Sequence, residues 1–160
     1  MNPLSINMLS QLGFRLVVQR LPEVEYWCQS AIVPGVTLLA LEQPTPFQAI
    51  PLPGHNLTFQ TLKVDFKVDE KMANYFSIFD WMVQSGFPDN FDQFKYEDTV
   101  TDVILMILDS NERPRNEIRF EGAFPVSLSS LNFTSVDSDV QYITASVEFK
   151  YRRYFHKAVT

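Results

Sequence analysis

A single cysteine, Cys28, in 160 residues excludes an internal disulfide, and two histidines, His55 and His156, are too few for most metal centres. With five glycines the chain has no phosphate-cradling glycine loop, no serine in a strained glycine turn and no histidines paired at helical spacing. Those absences remove the usual starting points for catalysis. No stretch approaches the roughly 20 consecutive apolar residues of a membrane helix, and the first residues lack a charged start followed by an apolar run, so neither membrane nor secretory signal is expected. Cationic excess is missing too. A formal net charge of -6 and a pI near 4.8 oppose a protein that grips nucleic acid by neutralising phosphates, although a repelling surface is compatible with DNA passing by.

Aromatic residues are abundant: fourteen phenylalanines, six tyrosines and two tryptophans make the chain 14% aromatic, which favours strands and an aromatic-rich core. The length suits one domain spanning 1–160. The clearest local signal runs from Thr58 to Gly86. Leu62, Val64, Phe66 and Val68 alternate with Thr61, Lys63, Asp65 and Lys67, giving a strand with one dry and one wet face. Asp69 then stands as an N-cap. Met72, Tyr75, Phe76, Phe79, Met82 and Val83 follow at helical spacing until Gly86, and Trp81 falls off that stripe, free to meet a second subunit or a neighbouring loop.

Residues 1–12 are weakly patterned and read as an arm that orders only against something else. Phe14, Leu16 and Val18 mark a first strand ending at Leu21-Pro22-Glu23, and Glu25 to Val33 a second, ended by Pro34-Gly35. Residues 36–54 differ. Pro44, Pro46, Pro51 and Pro53 punctuate Leu38, Leu39, Leu41, Phe47 and Ile50, which is too apolar for a solvated loop and too proline-rich for a central strand. An extended arm that docks on another copy is expected.

Phe87 to Asp98 reads as an irregular connection with one helical turn, pinned by its aromatics. Val103 to Leu108 reads as a strand buried on both faces. Asp109 to Asn116 is a turn leading to Ile118 and Phe120, and Gly122 suits a bulge. Pro125 to Val136 is short strand or irregular structure, ended by a turn at Asp137-Ser138-Asp139. From Val140 to Arg152 the longest strand puts Ile143, Ala145, Val147, Phe149 and Tyr151 on one face, opposite Tyr142, Thr144, Ser146, Glu148, Lys150 and Arg152. The sum is a mainly β chain: an antiparallel β-sandwich or barrel of about seven strands with one flanking α-helix.

Candidate chemistry is thin. His55 and His156 have no visible orienting partner, Cys28 reads as a small buried hydrophobe, and Asp137 with Asp139 reads as a turn rather than a metal site. The sequons at Asn56 and Asn132 mean little without a secretory signal. Arg113, Arg115, Arg119, Arg152, Arg153 and Lys157 are expected to pair with carboxylates rather than nucleic acid.

The order of features resembles the tail tube protein family of contractile-tailed bacteriophages, related in fold to the tube-forming haemolysin-coregulated proteins of type VI secretion. The resemblance rests on Phe14-Arg-Leu-Val-Val, the strand into Val33-Pro34-Gly35, the long extension, Leu62-Lys-Val-Asp-Phe, the helix with Phe79-Asp80-Trp81, and Leu131-Asn-Phe-Thr-Ser-Val-Asp-Ser-Asp before the last strand. It implies a virion protein without catalysis or cofactor: hexameric rings with a continuous inner β-barrel, stacked into a tail tube that conducts DNA, assembled in the host cytoplasm with sheath and baseplate partners. Residues 36–54, through Leu38, Leu39, Leu41, Phe47 and Ile50, would then bury apolar area between rings. Lys63, Asp65 and Lys67, with Thr144, Ser146, Glu148 and Lys150, become candidates to line the lumen. The N-terminal arm and the basic ending Lys150 to Lys157 depart from a plain stacking ring and keep a baseplate initiator or tail terminator open. A monomeric β-barrel carrier of an apolar ligand is the alternative of another class.

Overall fold

The computed structural model describes residues 9–21, 28–87, 96–135 and 141–159. Nine strands lie in these segments: β1 (Phe14–Val18), β2 (Cys28–Ile32), β3 (Val36–Gln43), β4 (Ile50–Phe59), β5 (Leu62–Lys67), β6 (Thr101–Leu108), β7 (Pro114–Leu128), β8 (Thr144–Lys150) and β9 (Arg153–Ala158), with helices α1 (Ala73–Gly86) and α2 (Tyr96–Thr99). Seven strands form one antiparallel sheet in the order β1-β6-β7-β8-β5-β2, with β9 also on β7, while β3 and β4 pair only with each other. The hairpin adds two strands to the expected seven, while the division of the last strand into β8 and β9 is offset by the fusion of the stretches at Ile118 and Pro125 into the single strand β7.

The sheet folds over at β7. Residues before Gly122 pair with β6 and β9, Ala123 still lies opposite Thr101 of β6, and residues from Phe124 onward pair with β8. Gly122 takes φ 61, a left-handed conformation that costs glycine little, and the register slips between Thr101↔Ala123 and Val103↔Phe120. Asp102 secures the bulge: its carboxylate accepts from the Gly122 N–H at 3.2 Å and pairs with Arg119 at 2.8 Å. Leu16, Val18, Val103, Leu105, Ile118 and Phe120 from one half of the sheet pack against Leu62, Val64, Phe66, Ala145, Val147 and Phe149 from the other, all buried. Within β6 only Val103 and Leu105 are fully buried, so the strand has one dry face rather than two.

The expected single last strand is two. β8 ends at Lys150, opposite Phe124, and β9 begins at Arg153, opposite Glu121, so the break falls beside the bulge of β7. A strand that follows β7 around its fold has to break where β7 does. Arg152 N–H bonds to Glu121 O at 2.9 Å across that corner.

Helix α1 also departs from expectation. It starts at Ala73 after Met72 at φ 56, without a side-chain cap, and Asp69 serves a turn instead, its carbonyl accepting from Met72 N at 2.9 Å. Asn74, Ile78 and Trp81 face the core, whereas Phe76 and Phe79 are each 48% exposed. The reason is polar anchoring. Asn74 donates to Lys67 O at 2.8 Å and the Trp81 indole donates to Thr99 O at 2.8 Å, which fixes the helix phase about those side chains. Trp81 is thus spent within its own chain. Tyr26 and Trp27, the turn at Asp137 to Asp139, and residues 1–8 of the N-terminal arm lie outside the described residues.

Candidate assembly and lumen surfaces

Two surfaces stand out. The first is the β3–β4 hairpin, which leaves the sheet between Gly35 and Gln60 and keeps apolar side chains in solvent on both faces. Leu38, Leu39, Leu41 and Ile50 are about half exposed, and Phe47 at the tip is 98% exposed. An isolated two-stranded ribbon with this much bare apolar surface is marginal in water and gains by being covered. Its base is anchored to the body. Gln60 N bonds to Gly35 O at 3.1 Å, the Tyr151 hydroxyl donates to Gln60 O at 2.7 Å, and the Tyr154 hydroxyl donates to Pro34 O at 3.2 Å. The Phe59 ring lies 5.5 Å from Tyr154 and 6.0 Å from Tyr151. Burial, with Tyr154 alongside, pushes the Tyr151 hydroxyl up to about 12, so it remains a donor at any ordinary pH.

The expected 36–54 extension is therefore a β-ribbon running on to Phe59. Its strands slip register between Leu38 and Ala40, where residues of β4 bulge. There Gly54 passes so close to the Leu39 carbonyl that a side-chain carbon at 54 would overlap it.

The second surface is the outer face of the half-sheet β7-β8-β5-β2. Pairing sets Lys63 beside Glu148, Asp65 beside Ser146 and Lys67 beside Thr144, so the two candidate groups join on one face. Asp65 is its centre: Ser30 on β2 donates to one oxygen at 2.6 Å and Ser146 on β8 to the other at 2.5 Å, a link across three strands. Partial burial works against its charge, but these two hydroxyls and then the Lys63 ammonium win and hold the carboxyl below the usual range. Thr61 reaches Glu148 at 3.4 Å, and the Lys67 ammonium stands 5.3 Å over the Tyr142 ring. Three lysines and two carboxylates among the seven named residues leave this face near neutral on an acidic chain. Sequence reading places Tyr142 on this wet face but misses Ser30; the register of β2, hidden in a short strand, was the missing signal.

Among the described residues the half-sheet ends in two unpaired edges, β2 on one side and the second half of β7 on the other. Neighbouring strands all run antiparallel.

Elsewhere, three of the six basic residues singled out in the sequence form ion pairs. Arg115 pairs with Asp109 at 3.1 Å and Arg153 with Glu121 at 2.7 Å, as Arg119 does with Asp102. Cys28 is half-buried with its thiol on Ser30 O at 3.6 Å, and burial, aided by Asp65, pushes it up to about 11, away from nucleophilic chemistry. Among the described residues no His, Cys, Asp and Glu cluster could hold a metal, and no helix is long and apolar enough to cross a membrane.

A family model described as phage tail tube protein matches residues 3–157. No curated protein matches the chain in sequence. Among solved structures it is similar to a chain of the anti-feeding prophage cap, a tube terminating cap, with TM-score 0.69 and 13% identity over 99% of this chain and 97% of that one. It is similar also to a chain of the extended sheath-tube complex of the PVC extracellular contractile injection system, with TM-score 0.66 and 15% identity over 96% and 94%. Hcp1 from Salmonella typhimurium aligns with TM-score 0.50 and 11% identity over 92% and 88%. At these identities the shared property is the fold.

Proposed function

The chain belongs to the phage tail tube protein family, and from that premise we propose that it forms hexameric rings that stack into the inner tube of a contractile tail, a conduit for DNA ejection. The carrying observation is the half-sheet β7-β8-β5-β2, whose polar outer face ends in two open edges. Four alternating strands make an even number. Rotation about a ring axis then brings β2 of one copy beside the second half of β7 in the next, running antiparallel, so the sheet closes without changing pairing type. Six such sheets at about 4.8 Å per strand make a wall about 115 Å around and about 37 Å across between backbones, wide enough for a duplex. Three copies would halve that width and leave no such room.

In this arrangement Lys63, Asp65, Lys67, Thr144, Ser146, Glu148 and Lys150 line the lumen. Their charges are compensated within the wall, so a passing duplex meets hydrogen-bonded side chains rather than a run of cations to hold its phosphates. The ribbon, through Leu38, Leu39, Leu41, Phe47 and Ile50, reaches the adjacent ring and covers its apolar faces there. The chain acts as one tail-tube-like domain over 1–160, with a structural role, a place in the virion after assembly in the host cytoplasm, and sheath and baseplate proteins as further partners.

A specialised end ring, initiator or terminator, is a second reading, favoured by the similarity in fold to a tube terminating cap. The carrier reading loses ground because Phe66, Phe120, Phe149 and Trp81 fill the interior a ligand would occupy. The test is Leu39→Asp with Phe47→Asp, followed by light scattering and negative-stain imaging. Rings without stacks are expected; tubes of wild-type length would remove the ribbon from the contact. Wild-type protein that stops at single rings at every concentration would favour the end ring.

A further inference from the structure

Proline placement makes the two edges of the β3–β4 ribbon unequal. In an antiparallel pair, successive residues alternate between bonding to the partner strand and pointing their N–H and C=O outward. Pro51 faces Glu42 and Pro53 faces Ala40, and since proline has no N–H to give the ladder, both occupy outward-pointing positions. The outer edge of β4 therefore lacks two successive donors near its tip. By the same pairing, Ala40 and Glu42 aim their N–H and C=O groups outward from β3, and Leu41, opposite Leu52, holds the ribbon together between them. No proline interrupts β3. One edge is closed to strand addition and the other is a complete template.

We propose that the ribbon engages a second copy of this chain edge-on through β3, whose backbone groups at Ala40 and Glu42 extend an open sheet edge of that copy, while Pro51 and Pro53 close β4 and so select a single docking orientation. This rests on the reading of the ribbon as the ring-to-ring contact and adds to it the edge used. A second copy is the fitting occupant because the same chain supplies both parts: β3 as donor strand, and, once β2 and β7 have closed the ring, β1 and β9 as sheet strands that among the described residues pair on one side only. Edge pairing fixes register through the backbone, and the exposed leucines then need only be covered. The prolines serve the converse purpose of keeping ribbons from pairing through β4 in unassembled protein.

The experiment compares Ala40→Pro with Glu42→Pro, Leu39→Asp with Phe47→Asp, and wild-type full-length chain, reading tube length by negative stain and amide exchange by mass spectrometry or NMR. The proline pair copies onto β3 what β4 already tolerates and spares the Leu41–Leu52 bonds. It is expected to give rings that do not stack. In wild-type protein, which carries no folding risk, the Ala40 and Glu42 amides are expected to slow by about 100-fold on assembly while Leu41 is protected before and after. If the aspartate pair blocks stacking but the proline pair does not, and the two amides exchange equally fast in tubes, the edge assignment is overturned and the ribbon contact stands. If both pairs stack normally, the ribbon reading fails and this proposal fails with it.

Discussion

Asp65 sits where three strands meet, held by Ser30 and Ser146, and its depressed titration gives stability a definite pH dependence. The unfolded carboxyl titrates near 3.9, the folded one lower, so between the two values the unfolded state binds more protons. The stabilisation is complete above about pH 4 and is lost as pH falls through the folded value. Asp109 adds in the same direction, held down first by the Arg113 backbone N–H and also by the Asn111 N–H and Arg115. A urea midpoint that declines on acidification below about pH 4, with a shallower decline in Asp65→Asn, is the expected result. Helix α1 supplies a second contrast. Ile78→Ala removes a buried side chain and should cost about 2–4 kcal/mol, while Phe79→Ala, half exposed, should cost less than about 1 kcal/mol, both read by urea denaturation. The apolar spacing at Phe76 and Phe79 was legible in the sequence but misleading, because apolar residues covered both sides of the helix. The choice between them was made by Asn74 finding the Lys67 carbonyl at the end of the preceding strand and the Trp81 indole finding Thr99 O on α2, partners that apolar spacing within the helix does not encode.

Among the elements, alternation located β1 and β5 within a residue or so, and the dry face of β8 though not its ends, since a one-sided strand writes its period directly into the chain. The bends and the ribbon were less legible. The break between β8 and β9 comes from the corner of β7, a tertiary event, although Gly122 was recognisable as a place for it. Gly122→Ala, forced into φ 61, should cost about 1 kcal/mol and lower the thermal midpoint of the whole molecule. In the sequence, residues 36–54 read as an extended arm rather than as strands because four prolines argue against a central strand; a ribbon pairing on one side only can carry prolines on its outer side. Gly54→Ala would push against the Leu39 carbonyl, deforming the ribbon while the body stands apart from it. The expected outcome is a thermal midpoint close to wild type with loss of stacked tubes, checked by calorimetry alongside imaging.

At the scale of the molecule, the architecture makes sense as a part rather than a whole. A folded-over sheet with a filled core also bears a bare apolar ribbon and two open edges beside a polar face, and each of these is a liability in a monomer. The proposed stack of rings would resolve all of them at once: the edges would close on neighbours in the ring, the ribbon would be covered by the next ring, and the polar face would meet the lumen. The residues proposed for the lumen were visible as two wet faces in the sequence; that they share one surface depends on β5 pairing with β8 across about eighty residues of chain, which alternation alone does not supply. The most direct measurement is a cryo-EM reconstruction of tubes assembled from the purified chain. Six-fold rings whose channel is lined by Lys63, Asp65, Ser146 and Glu148, with β2 hydrogen-bonded to the neighbouring β7, are the predicted result; a channel lined by the opposite face of the molecule, or a chain that stays monomeric at every concentration and on every template, would contradict the account.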